Sequence, residues 1–354
     1  MTEPRANRSR RVTLRDVAAV VGVDPSAVSR VVNNDPQLSI SATTREKILA
    51  AVSELGYRPN FGARGLRTSK TFTIGLILPS LVNPMYEGIV RGVAVTAEKR
   101  GYGVVLGSQI ESTSAMTFAG LLQEGRVDGL LIASGTLRDD FIREIAEHGP
   151  GPVISVNRRI EGVGNSVIVD DEGASRKAFE YLHGLGHQVV AGIFGPSEVE
   201  TSVRRRKGFV SGAESFKLSP IVVDCSGVSV QDGYTGTREI LRKHPTVTAI
   251  FTSTLLMGMG ALRAAGEEQR PVPASLSVIC LHDSFLADFF FPSLSSIRMP
   301  IEELGIAAVE LLIDLCAGGP NREIMIAGDG EIIERESTGP APLFSEIASV
   351  LKGS

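Results

Sequence analysis

The chain has 354 residues, 43% of them hydrophobic, and a net charge of −4, which allows a sizeable core in two or three domains. No run approaches the ~18 apolar residues of a membrane span, and no apolar segment follows the basic start MTEPRANRSRR as it would in a secretory signal, so a cytoplasmic protein with no membrane contact is expected. Cys225, Cys280 and Cys316 lack metal spacing and suit a reducing compartment, and there is no metal-protease pattern, Walker A loop or nucleophile elbow, so neither an enzyme nor a metal or cofactor is expected.

In chain order, residues 1–11 read as a flexible basic arm. Thr13 to Asn33 then reads as two short helices about a tight turn. Thr13 can cap the first, with Asp16 completing a capping box. Val17, Ala18 and Val21 give it an apolar face, and Gly22 allows the bend. Asp24 is a good N-cap and Pro25 a good first helical residue. Val28, Val31 and Val32 turn inward, leaving Ser26, Ala27, Ser29, Arg30 and Asn33 on the outer face. This is a helix-turn-helix pattern, whose second helix reads base edges in the major groove. Ser41 to Leu55 reads as a third helix with Ile48, Val52 and Leu55 inward and Gly56 at its end. Thr44 and Arg45 at its start are candidate phosphate contacts.

Two short helices about a glycine also occur in proteins that never meet DNA. Charge separates the two readings. Residues 1–70 hold twelve Lys/Arg against six Asp/Glu, a net of +6, while the remainder nets −10. A basic head on an acidic body suggests that the head alone meets a polyanion. The segment 59–70 has little to bury. It reads either as a linker or as a hinge that folds on DNA, with Leu66 as a minor-groove wedge beside Arg64.

The stretches VTLRDVAAVVGV, AVSRVVN, TREKI, ELGYRPN and ARGLRTSKT resemble the head and hinge of the lactose-repressor family of bacterial transcription regulators. The resemblance implies a helix-turn-helix domain over 12–58, a hinge helix over 59–70, an effector-binding and dimerisation domain over 71–338, and a tail over 339–354. It implies a homodimer on double-stranded operator DNA, with base-reading positions at Pro25, Ser26, Ala27, Ser29 and Arg30. Thr13, Tyr57, Asn60 and Arg64 fall in its motifs as further candidate DNA contacts, and Leu66 matches its inserted leucine.

From Thr71 strands and helices alternate, beginning with the continuous apolar run Phe72–Leu78, as in a parallel sheet covered on both faces. Further strands are expected at Tyr102–Gly107, Gly129–Ala133, Val153–Val156, Ser166–Val169, Val189–Phe194, Ala249–Thr252 and Leu276–Leu281. The fold class is doubly wound α/β. The resemblance implies a periplasmic-binding-protein-like body of two parallel-sheet subdomains, 71–170 with 298–330 and 171–297 with 331–338. Ligands in such folds bind at strand C-terminal ends. Candidate effector contacts there are Asn83, Tyr86, Arg158, Asp170, Arg205, Leu255, His282 and Asp283. Of these, Asn83, Tyr86 and Arg205 match family positions. Arg204 and Arg206 read as a solvated helix start. The tail Leu343–Leu351 is too short for a coiled coil.

The departures from the family are specific. Thr254-Leu255 stands where Asn-Asp is usual, and His282 replaces the first aspartate of an Asp-Asp/Asn pair. Two acceptors suited to vicinal hydroxyls are thus missing. The effector is either less sugar-like than usual, more apolar or anionic or absent, or else a repacked site still takes a sugar. The expected function is a sequence-specific repressor switched by an unidentified small molecule. The alternative is an activator or dual regulator. A solute-binding protein would share the body but should lack the basic head. If Leu66 is a wedge, Leu66→Ala weakens operator binding far more than non-specific binding; equal losses on both DNAs in competition assays would remove that role.

Overall fold

The structure, a computed structural model, describes residues 12–32, 35, 38–57, 70–80, 82–108, 119–133 and 137–342. It comprises two compact units, residues 1–70 and 71–354. The arm, residues 58–69 of the hinge region and the expected tail helix lie outside the described residues.

Among the described residues the head has three helices. Helix α1 (Leu14–Val21) begins with the capping box: Thr13 Oγ1 accepts from the Asp16 N–H, and Asp16 Oδ2 accepts from the Thr13 N–H at 2.7 Å. It ends at Gly22 with φ +74°, a conformation open to glycine without a Cβ penalty. Before α2 (Pro25–Val32), the Asp24 carboxylate accepts from the Ser26 N–H at 2.8 Å. Ser41 caps α3 (Ala42–Glu54), which closes before Gly56 at φ +63°. Val17, Ala18, Val28, Val31, Ile48 and Ala51 form the core, with Val21, Val32, Val52 and Leu55 packed against it.

The second unit is an α/β body with two six-stranded sheets. The chain first lays down β1 (Thr73–Leu78), β2 (Gly103–Ser108), β3 (Gly129–Ile132), β4 (Val153–Val156) and β5 (Ser166–Val169). It then crosses to a second sheet with β6 (Val190–Phe194), β7 (Ile221–Asp224), β8 (Ala249–Thr252), β9 (Ser277–Leu281) and β10 (Ser295–Arg298). It returns to add β11 (Glu323–Ile326) to the first sheet and crosses again to set β12 (Glu331–Ile333) antiparallel to β10. The orders are β11-β5-β4-β3-β1-β2 and β12-β10-β9-β8-β6-β7, and every pairing except β10–β12 is parallel.

The apolar runs in the sequence are the central strands, buried on both faces as a parallel sheet requires. Strands β7, β10, β11 and β12 lack that signature. Three are sheet edges with at least one exposed residue, and β10 places Ser295 and Ser296 in the interior. Those serines are buried because Ser295 bonds Ser337 and Thr338, while Ser296 bonds Asp283.

Helix α5 (Asp139–His148) follows β3, and among the described residues three helix pairs flank the sheets: α4 (Met85–Lys99) on α10 (Ile301–Cys316), α6 (Asp171–Gly184) on α7 (Glu200–Ser215), and α8 (Val230–Lys243) on α9 (Leu255–Glu267). Each pair approaches through glycine. A Cβ on Gly208 would collide with the Glu172 carbonyl oxygen, and one on Gly260 with that of Val230. The backbones are therefore closer than any side chain permits. Gly208→Ala should destabilise the body by about 1–3 kcal/mol or more. Gly266→Ala, in open space near the end of α9, should be neutral or stabilising by up to ~1 kcal/mol. Denaturation midpoints of the two variants check this, and equal midpoints would refute the close-packing account.

Candidate functional site

A cavity of about 740 Å³ lies in the body at the C-terminal ends of strands from both sheets. Such a volume suits a small molecule. From the first sheet it takes Asn83 and Tyr86, after β1, and Asn157 and Arg158, after β4; from the second it takes Arg205 on α7, Thr254 after β8 and His282 after β9. Asn157 and His282 each stand one residue past a strand end at positive φ, +64° and +69°. Asn and His tolerate this region better than most residues, and held strain of this kind clusters at ligand sites.

The cavity floor rests on one buried carboxylate. Asp171, at the first position of α6, has no exposed surface. Arg205 Nε donates to its Oδ1 at 2.8 Å, while Arg204 Nη2 stands 2.9 Å from Oδ2 as a charge contact without hydrogen-bond alignment. Burial pushes the Asp171 carboxyl up, but Arg205 and then Arg204 outweigh it and hold the group below its ordinary value. Arg205 also donates to the Ser253 carbonyl at 3.1 Å and, through Nη2, to His282 Nε2 at 3.0 Å. A guanidinium can only donate, so Nε2 is the acceptor and the neutral ring carries its proton on Nδ1. Burial and the Arg205 charge lower the His282 pKa to about 3, against the pull of Asp171. Burial raises Tyr86 to about 12 despite the Arg205 charge.

Arg204 corrects the sequence reading. It is buried, not a solvated helix start, and links the two halves. From α7 it donates to the Val169 carbonyl at 2.8 Å and the Asn157 carbonyl at 3.2 Å, both in the first half, and to Glu200 at 2.7 Å. Arg206 is half exposed and pairs with Asp224. Arg158 is buried and ion-paired with Asp139, with its Nε unpartnered; burial lowers its pKa against the charges of Asp139 and Glu200. Neither Asp171 nor Arg204 stood out in the sequence, although the Asp170-Asp171 pair just past a strand end was a usable signal.

Asn83, Tyr86, Arg158, Arg205 and His282 thus come together around the cavity. Asp170, Leu255 and Asp283 do not. Asp170 caps α6, accepting from the Gly173 N–H at 2.8 Å. Leu255 opens α9 and is buried in the core of the second half, so Thr254 and Leu256 line the cavity in its place. Past the turn at His282, Asp283 is held by Ser296 at 2.7 Å, Arg298 at 2.9 Å and Arg335 at 2.9 Å.

On the head, Ser26 is exposed, while Pro25, Ala27, Ser29, Arg30, Thr44 and Arg45 are partly exposed. Arg30 is paired with Asp35 at 2.8 Å. Thr13 is committed to its capping box. Tyr57 departs from the expected DNA contact: it is 9% exposed and part of the head core, an aromatic closing a small three-helix unit. Asn33, Asn60, Arg64 and Leu66 lie outside the described residues.

Residues 13–60 match the family described as "Bacterial regulatory proteins, lacI family", and residues 179–338 match a "Periplasmic binding protein-like domain". The chain is 32% identical to the HTH-type transcriptional regulator CelR of Thermobifida fusca over 340 residues, covering 93% of this chain and 99% of that protein. It is similar to a solved CelR–cellobiose complex, with 30% identity, a TM-score of 0.69 and coverage of 92% and 100%. It is also similar to the lac repressor dimer bound to operator and the anti-inducer ONPF, with 29% identity, a TM-score of 0.76 and coverage of 93% and 100%.

Two outcomes follow from the buried network. Asp171→Ala should cost about 3–5 kcal/mol, because it strands two arginines in the interior. The second is pH dependence. Below pH 6.5 the unfolded chain takes up a proton on residue 282 that the folded chain, with its pKa near 3, refuses. Stability from this group is complete above 6.5 and falls with pH, by up to ~1.4 kcal/mol per unit. His282→Asn should flatten the decline in denaturation free energy between pH 6.5 and 5; an unchanged slope would contradict the assignment.

Proposed function

This chain belongs to the lacI family of bacterial regulatory proteins, and we propose that it is a repressor that binds a palindromic operator as a homodimer and is switched by a small molecule in the body's cleft. As a family member it is a DNA-binding transcription regulator with a ligand-binding domain; repression, dimerisation, the operator and the switch are the added reading.

The observation that carries the switch is the reach of Arg204. The cleft wall that holds Arg205 is tied by its neighbour to two carbonyls of the opposite half. Arg159 adds a second tie, standing 3.7 Å from Glu200 across the same boundary. A ligand that pulls on Arg205 therefore acts on the contacts that set the two halves. It can shift their arrangement only through a difference in affinity between two states. In the proposed mechanism one arrangement holds the two hinges close enough to fold together on DNA and the other separates them.

Dimerisation has support on the surface. Phe285, Phe289 and Phe291 are 72%, 80% and 98% exposed around the short 3-10 helix Phe285–Phe289 and the residues after it. Exposed apolar patches mark association surfaces. The lac repressor named above is a dimer bound to operator DNA. On the DNA side, phosphate contacts would supply much of the affinity and base contacts the specificity. Pro25 and Ser26 are short, so readout rests on Arg30, once released from Asp35, and on Ala27 against thymine methyl groups.

Selection from random DNA with the purified full chain, at fixed salt, should enrich a palindrome with a flexible pyrimidine–purine step at its centre. Failure to enrich any motif, with and without cell extract, would overturn the reading. On the selected operator, Arg30→Ala should relax discrimination at one base pair of each half-site by ~1–3 kcal/mol. Competition with single-base variants measures it, and a uniform loss over all positions would make Arg30 a phosphate contact instead.

A further inference from the structure

The cleft presents an excess of hydrogen-bond donors on its floor and apolar side chains around its mouth. Arg205 uses Nε on Asp171 and one hydrogen each of Nη1 and Nη2 on Ser253 and His282. A guanidinium has five N–H donors, so two remain without a partner among the described residues. His282 Nδ1 is buried and unpartnered, and because Nε2 accepts from Arg205, Nδ1 carries a hydrogen. Arg158 Nε, within a buried side chain, is likewise unpartnered. The unpartnered acceptors beside them are Asn157 Oδ1, on an amide that can turn, and Asp171 Oδ2, which meets Arg204 only as a charge contact.

Of the carboxylates nearby, Asp139 pairs with Arg158, and Glu200 takes Arg204 on one oxygen and keeps the other unpartnered. Asp171 lies between two arginines. Asp232, at the cavity edge, accepts from the Ser229 N–H and from the hydroxyls of Ser229 and Ser226. Around this floor Val82, Val228 and Val230 are exposed and line the cavity with Met85, Val199 and Leu256.

Hydroxyl and amide side chains such as Ser80, Asn83, Gln231 and Thr254 line the walls, but the floor itself serves a neutral sugar poorly. Each hydroxyl brings both a donor and acceptors, and burial without partners is costly. At 282 stands a neutral histidine that accepts from Arg205 through Nε2 and keeps an unpartnered donor on Nδ1. An anion meets the floor's needs: a carboxylate has two oxygens and about four acceptor sites and pairs with a guanidinium in a fork. The valines then call for an apolar body behind it.

We infer that the effector is an organic carboxylate with an aromatic or aliphatic body, gripped at its carboxylate by Arg205, Arg158 and His282 and covered by the valines of the cleft mouth. This rests on the cleft being the effector site of the regulator proposed above.

The test is calorimetry on the full-length protein at pH 7.5, with 3-phenylpropanoate and octanoate as apolar carboxylates, gluconate as a hydroxylated carboxylate, and cellobiose as a neutral sugar. At least one apolar carboxylate should bind tenfold or more tightly than either gluconate or cellobiose. His282→Asp places a negative charge beside Arg205 and should weaken that binding at least tenfold in a protein with wild-type circular dichroism. Arg205→Gln should abolish it; if Arg205→Gln does not fold, His282→Asp decides. Tighter binding of cellobiose or gluconate, no binding of either apolar carboxylate at millimolar concentration, or unchanged affinity in His282→Asp would each overturn the inference. Operator selection with the same preparation separates the two levels: an enriched palindrome without carboxylate binding removes this ligand class alone, whereas no motif removes the regulator reading.

Discussion

The body depends on one buried carboxylate. Asp171 has no exposed surface, and its cost of burial is met only because Arg204 and Arg205 stand on its two oxygens. The two arginines are adjacent in sequence but serve different ends. Arg204 runs to carbonyls at the ends of β4 and β5 and joins the halves. Arg205 turns to Ser253 and His282 and forms the cleft floor. A single acid thus couples the wall that a ligand touches to the seam that a ligand must move. Position helps as well, since Asp171 opens α6, where the N-terminal end of a helix favours negative charge.

The scaffold holds this network in a narrow geometry. The α6–α7 pair carries Asp171 on one helix and both arginines on the other, and their spacing is set by Gly208 against the Glu172 carbonyl. A wider helix pair would stretch the charge contacts, and charge-assisted bonds weaken steeply with distance. On the strand side, Asn157 and His282 turn sharply at positive φ just where β4 and β9 stop. Those turns place their side chains on the cavity and send Asp283 away to Arg298 and Arg335. The strain at the cleft is local, and the central strands around it are buried and regular.

His282 sets the character of the site more than its size. A carboxylate there would share the positive charge of Arg205. A neutral imidazole accepts one hydrogen bond from it and leaves the charge in place. A relative of this fold is solved as a CelR–cellobiose complex. A fold does not by itself decide what a site binds.

The sequence alone determined the head and the outline of the body. Capping residues Thr13, Asp16, Asp24 and Ser41, the punctuating Gly22 and Gly56, and the valine spacing are local signals, and local hydrogen bonds and backbone sterics act on them without help from the rest of the chain. The continuous apolar strands were legible for the same reason, because burial on both faces leaves a run of hydrophobic residues. The edge strands β7, β11 and β12 and the serine-bearing β10 were not, since neighbours distant in sequence satisfy their polar groups. Only tertiary structure decided that Arg204 is a buried tie, that Tyr57 is core, and that Leu255 and Asp283 leave the cleft. Each of those outcomes depends on which side chain meets which across sequence separations of tens of residues, and neither residue type nor periodicity encodes that meeting.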